Sequence, residues 1–123
     1  MPGTGVVDFS AEPSSVSERR LRDLPDRVTE GDPQHVTRSH FDSPDGKLTA
    51  GTWTSTPGKW RVFANRDEFC TILSGRARLI DDAGHAQEFR TGDAFLIPNG
   101  FSGFWEVLEI TTKHFVIRHH AED

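Results

Sequence analysis

The chain has no tyrosine, one cysteine, one methionine and no long apolar run. Each shortage excludes something. A single cysteine, Cys70, cannot form an intrachain disulfide and fits a reducing compartment. No stretch approaches the roughly 20 apolar residues that cross a bilayer as a helix. The opening "MPGTGVVDFS" has neither the basic start nor the apolar centre of an export signal. A cytoplasmic location is the expectation. Cations are also short, with 14 Lys and Arg against 19 Asp and Glu for a net charge of −5. With the acids scattered, neither a nucleic-acid surface nor an anionic membrane is an expected partner. At 123 residues the chain can bury one core.

The first 46 residues differ from the rest. They hold five prolines, and nine acids against five bases, with few apolar residues in phase. They read as an N-terminal extension, partly irregular, draped as an arm over a neighbour. Within it, "SSVSERRLRDL" places Ser15 three residues before Glu18, a capping-box spacing, and Pro25 would stop a helix there. A short surface helix is expected, with Arg19, Arg20 and Arg22 on its solvated face.

From Lys47 the pattern changes. "LTAGTWT", "WRVFA", "EFCTIL", "RARLI", "AFLIP" and "HFVIR" are of strand length and rich in β-branched or aromatic residues. Between them lie "TPGK", "NRD", "SG", "DDAG", "TGD" and "PNG", combinations that make tight turns. "LIDDAGHAQEF" reads as a hairpin closed around Asp82, Ala83 and Gly84. Short strands with almost no helix predict an all-β sandwich or barrel over residues 47–118, followed by a tail at 119–123.

Two spacings go further. "GDAFLIPNG", from Gly92 to Gly100, resembles the second motif of the cupin superfamily, a jelly-roll β-barrel. Glu68 and Gly75 in "EFCTILSG" resemble the end of the first motif, and a short hairpin separates the two. "GTWTSTPGKWRVFANRDEFCTILSGRARL" followed by "GFSGFWEVLEITTKHFVI" is similar to small single-domain cupins related to ureidoglycine aminohydrolase and the ethanolamine-utilisation cupin. The resemblance implies a cupin-type jelly-roll β-barrel and a homodimer.

The resemblance also implies a ligand set, and this chain departs from it. Cupins typically hold a metal with a His-x-His pair, a glutamate and a second-motif histidine. Those positions fall at Val62, Ala64, Glu68 and Gly103. One carboxylate cannot hold an ion that needs three or four donors, so neither a metal nor another cofactor is expected.

If Glu68 keeps the orientation that the cupin resemblance implies, it points into the barrel, and strand alternation puts Cys70 and Ile72 on its face. A buried carboxylate needs a partner, and Lys113 is the expected one. Trp60, Val62, Ala64, Cys70, Phe101 and Trp105 are the expected ligand-binding residues, whereas Trp53 reads more as core. Alternation lets only one of Lys113 and His114 face inward. His35, His40, His85, His119 and His120 read as surface or tail residues. "GFSGF" lacks the final glycine of a nucleophile elbow, and "GTG" at 3–5 lacks the third glycine of a phosphate loop.

Two readings remain open. One is metal-independent binding of a small organic metabolite inside the barrel. The other is an enzyme acting on a nitrogen- or carbonyl-containing metabolite, with Glu68 as acid or base and Lys113 stabilising negative charge.

Overall fold

The computed structural model describes residues 5–121. The start of the expected extension, with most of "GTG", and the last two residues of the expected tail lie outside the described residues. Nine strands occur in chain order: β1 (Ser15–Arg20), β2 (Val28–Gly31), β3 (Gln34–Asp42), β4 (Leu48–Ser55), β5 (Gly58–Arg61), β6 (Arg66–Asp81), β7 (Ala86–Arg90), β8 (Ala94–Ile97) and β9 (Gly103–His119). The helical piece among the described residues is a 3₁₀ turn at Leu21–Asp23. The strands form one curled antiparallel sheet, a cupin-type jelly-roll β-barrel.

Two long strands make its spine. β9 pairs with β6 along one edge, and with β5 and then β4 along the other. The far edge of β6 is covered by β7 and β8. The expected "SG" turn between "EFCTIL" and "RARLI" is instead a bulge inside continuous β6, where the register against β9 shifts between Ile72 and Ala77. Gly75 sits there at φ +102°, and a Cβ on it would meet the Ile110 carbonyl and the Cα of Thr111 at 2.6 Å. The extra residue switches the parity of the strand. Cys70 and Ile72 before it, and Ala77 and Leu79 after it, are therefore all buried.

The helix expected in "SSVSERRLRDL" does not form. Residues 15–20 are β1, paired antiparallel with β3 from Ser15 opposite Ser39 to Arg20 opposite Gln34. All six are exposed, so a helix here would have had no apolar face to bury. β3 supplies a backbone ladder instead, and Leu21, fully buried, ties the segment to the core. β3 in turn pairs along its length with β4. The change of pattern at residue 47 coincides with the β3–β4 turn, where Ser43 N donates to the Leu48 carbonyl at 2.8 Å. The expected hairpin around Gly84 is present, with Asp81 N donating to the His85 carbonyl at 3.0 Å. The core inside the curl is aromatic, built on Trp53, Trp60, Trp105 and Phe115.

Candidate functional site

The curl encloses a cavity of about 950 Å³, within the range of small-molecule pockets. Its floor is set by the β6–β9 and β4–β9 ladders. Glu68 lies opposite Ile117 and Lys113 opposite Ile72, with Trp53 facing Lys113 from β4. Lys113 Nζ donates to Glu68 Oε2 at 2.7 Å, and both side chains are less than a tenth exposed. The ammonium also sits 4.3 Å from the ring centroids of both Trp53 and Trp105. Cation–π contact of this kind is strongest where water is excluded.

Burial works to raise the Glu68 pKa, but the Lys113 charge and hydrogen bond, helped by Arg66 and the Cys70 thiol, bring it below the usual carboxylate range. Burial works to lower that of Lys113, and the neighbouring thiol and carboxylate more than offset it. Both groups stay charged at neutral pH. Cys70 Sγ donates to the same Glu68 oxygen at 3.4 Å. Burial pushes the Cys70 thiol up to about 12, so it is no nucleophile.

Seven of the eight expected site residues line the cavity: Trp60, Val62, Ala64, Glu68, Phe101, Trp105 and Lys113. Cys70 does not. It is fully buried behind the carboxylate, because it lies one pleat further along β6 and the thiol packs into the core. Trp53, expected as core, is a cavity wall as well. His114 faces away from the cavity, as alternation requires once Lys113 points in, and bonds Thr52 Oγ1 at 3.0 Å.

Three features escaped the sequence reading. His35 is buried rather than on the surface, its ring 4.9 Å from those of Trp53 and Trp60. Burial, with Lys113 and Arg19, lowers its pKa to about 4, so it is neutral at pH 7. Its alternation within "QHVTR" was visible, but only a recognised β3 aims it inward. His119, expected in the tail, ends β9 and reaches the cavity, bonded to Thr49 Oγ1 at 3.0 Å. Arg19 also lines the cavity, with Arg27 and Arg66. No local signal marks these arginines, which come from three separate segments.

A family model described as an EutQ-like cupin domain matches residues 42–115, well over half of the chain. The chain belongs to the EutQ-like cupins. Among solved structures, this cupin is similar to the EutQ protein of Clostridium difficile, at TM-score 0.62 and 19% identity over 72% of this chain and 64% of that one. A putative ethanolamine utilization protein Q from Salmonella typhimurium LT2 gives TM-score 0.62 and 19% identity, over 71% of each chain. A DUF861-family protein of unknown function from Pseudomonas syringae pv. tomato DC3000 gives TM-score 0.69 and 21% identity, over 93% of this chain and 45% of that one. This cupin thus spans under two thirds of the C. difficile protein and under half of the P. syringae one. At these identities the likeness is one of fold. No curated protein matches the chain significantly.

The metal that the wider superfamily implies does not fit the residues present. Val62 and Ala64 offer no donor atom. At Gly103 a Cβ would run into the Ile80 carbonyl oxygen and come within 2.9 Å of the Asp81 Cα, so the backbone of β6 excludes any side chain. The remaining carboxylate, Glu68, already holds an ammonium. Among the described residues no group of three His, Cys, Asp or Glu side chains is placed to hold a metal ion.

Proposed function

We propose that this EutQ-like cupin binds a small organic molecule inside its barrel without a metal. One observation carries the reading: a cavity of about 950 Å³ walled by Trp53, Trp60 and Trp105, whose floor charge is already neutralised by the Lys113–Glu68 pair. Broad aromatic faces suit an apolar or planar ligand body. The enzyme alternative, with Glu68 as acid or base, is weaker on its chemistry. Lys113 keeps the carboxyl ionised, which removes the acid role at neutral pH, and for the base role the same oxygen already accepts hydrogen bonds from Lys113 and Cys70.

The tryptophans supply the test. All three line the cavity and the chain has no tyrosine, so intrinsic fluorescence reports on this site. The uncharged dye N-phenyl-1-naphthylamine should accept energy from them, saturate at one per chain and bind equally in excess chelator. Absence of transfer, or binding abolished by chelator, defeats the proposal. A turnover assay on small amides and amines with Glu68→Gln beside the native protein addresses the enzyme reading.

We also propose that two copies pair. Phe69 on β6 stands opposite both Leu96 on β8 and Val116 on β9, and the three form an exposed apolar row at 46%, 61% and 37% exposure. A monomer gains nothing from such a row. Sedimentation equilibrium should give a dimer that Phe69→Lys converts to monomer; a native monomer refutes it.

A further inference from the structure

Phe63, just past β5, is surrounded by cations. The guanidinium carbon of Arg27 lies 4.0 Å from its ring centroid, that of Arg66 5.1 Å and that of Arg19 5.2 Å. All four residues line the cavity. The arrangement is built rather than incidental. Arg27 Nη1 donates to the carbonyls of Arg61 and Val62 at 2.9 and 3.1 Å, which fixes its guanidinium over the ring.

What distinguishes these arginines is that three unpaired cations converge on one wall of the cavity. Arg20, Arg61, Arg76, Arg78, Arg90 and Lys113 each have a carboxylate partner. Among the described residues, Arg19, Arg27 and Arg66 form no ion pair; neither do Arg22, Arg38, Arg118, Lys47 and Lys59, but none of those five lines the cavity. Glu18 and Asp42 also line the cavity without pairing to them. Arg66 Nε is buried with no hydrogen-bond partner, as is the Nε2 of His35. Burial and then mutual repulsion with Arg19 and Arg61 hold Arg27 below its usual pKa; burial, with Arg19 and Arg27, does the same for Arg66 despite the opposing pull of Glu68. Like charges gathered on one wall repel, and a bound anion would relieve the repulsion. Guanidinium groups are also well shaped for a planar oxyanion.

The floor points to the same ligand polarity. The pocket between Trp53 and Trp105 that could receive a ligand cation is filled by the ammonium of Lys113. We infer that this cavity selects organic anions, a carboxylate or sulfonate on an aromatic or apolar body, with the anionic group held by Arg19, Arg27 and Arg66 and the body lying against Trp60 and Trp105. This rests on the proposal that the barrel binds a small molecule.

The test compares 8-anilinonaphthalene-1-sulfonate with N-phenyl-1-naphthylamine, the same rings without the anion, both read by energy transfer from the tryptophans. The sulfonate should bind the native protein about tenfold or more tightly than the neutral dye. In Arg19→Met/Arg66→Met that preference should collapse to about twofold or less, with affinity for the neutral dye unchanged. Arg66→Lys, which keeps the charge, should retain part of it. Arg19 is exposed, so Arg19→Met alone should fold and lose part of the preference even if the double variant does not fold. Equal affinity for both dyes, or a preference that survives the double variant, overturns the anion site and leaves barrel binding standing. Energy transfer to neither dye overturns both.

Discussion

At the floor of the cavity Lys113 and Glu68 meet at 2.7 Å with almost no exposure, and at its rim Arg19, Arg27 and Arg66 crowd one phenylalanine without an ion pair to any carboxylate. Charge is balanced at the fully buried floor and left unbalanced on a wall where Arg19 is exposed and Arg27 and Arg66 are half-buried. An unpaired ion at the floor would bear a full desolvation penalty, whereas solvent screens part of the repulsion at the rim. The floor therefore serves the fold, and the rim is free to serve a ligand.

The largest effect should come from breaking the floor. Lys113→Met strands a buried carboxylate and should cost about 3–5 kcal/mol in urea unfolding, much of it recovered in Glu68→Met/Lys113→Met. A cost under about 1 kcal/mol would mean that the floor is wetter than its burial indicates.

His35 sharpens the comparison from the wall between the two regions. Its folded pKa of about 4 lies below the 6.5 of the free side chain. Between these values the unfolded chain binds the proton and the native one does not, so stability rises with pH across the window and falls on acidification. The loss should approach about 3 kcal/mol between pH 6.5 and 4 and should be absent in His35→Phe. Urea midpoints of both proteins at pH 7 and 4.5, with the ring titration followed by NMR, would measure it. Equal acid sensitivity of the two removes His35 from the account.

A smaller effect is expected where the superfamily metal ligand would stand. Gly103→Ala forces a Cβ against the Ile80 carbonyl and should cost about 1–3 kcal/mol. A neutral result in thermal unfolding would show room for a side chain there. The smallest effect belongs to the rim. Arg19→Met removes an exposed, unpaired cation and should leave stability within about 0.5 kcal/mol of the native value. A loss comparable to that of Lys113→Met would make the rim a structural element and erase the contrast.

How far the site was legible depended on the reach of the interaction concerned. Glu68 facing Lys113, with Trp60, Val62 and Trp105 nearby, followed from the cupin orientation that the resemblance implies, together with alternation within strands and the need of a buried carboxylate for a cation. Cys70 followed the same alternation onto the inner face, but which inward residues reach the cavity and which stop in the core is set by packing. His35 and Arg19 were missed for one shared cause, whereas nothing local marks Arg27 or Arg66. "SSVSERRLRDL" carries a local capping signal, and nothing local indicates that β3 will offer it a ladder. Read as a helix, it placed Arg19 on a solvated face and left His35 without a strand to direct it.

The sequence by itself determined the strand periodicity from Lys47 onward, the Gly84 hairpin and the residue types at Val62, Ala64 and Gly103, and with the cupin resemblance it suggested the pairing of one buried acid with one buried base. These depend on residue type and on spacing of a few positions. Only the tertiary structure decided that β1 and β3 extend the sheet, that Gly75 makes a bulge rather than a turn, that β6 closes over Gly103, and that Arg19, Arg27 and Arg66 share one ring. Each of these joins segments distant along the chain, and backbone pairing and charge proximity across such distances exist only once the sheet has curled.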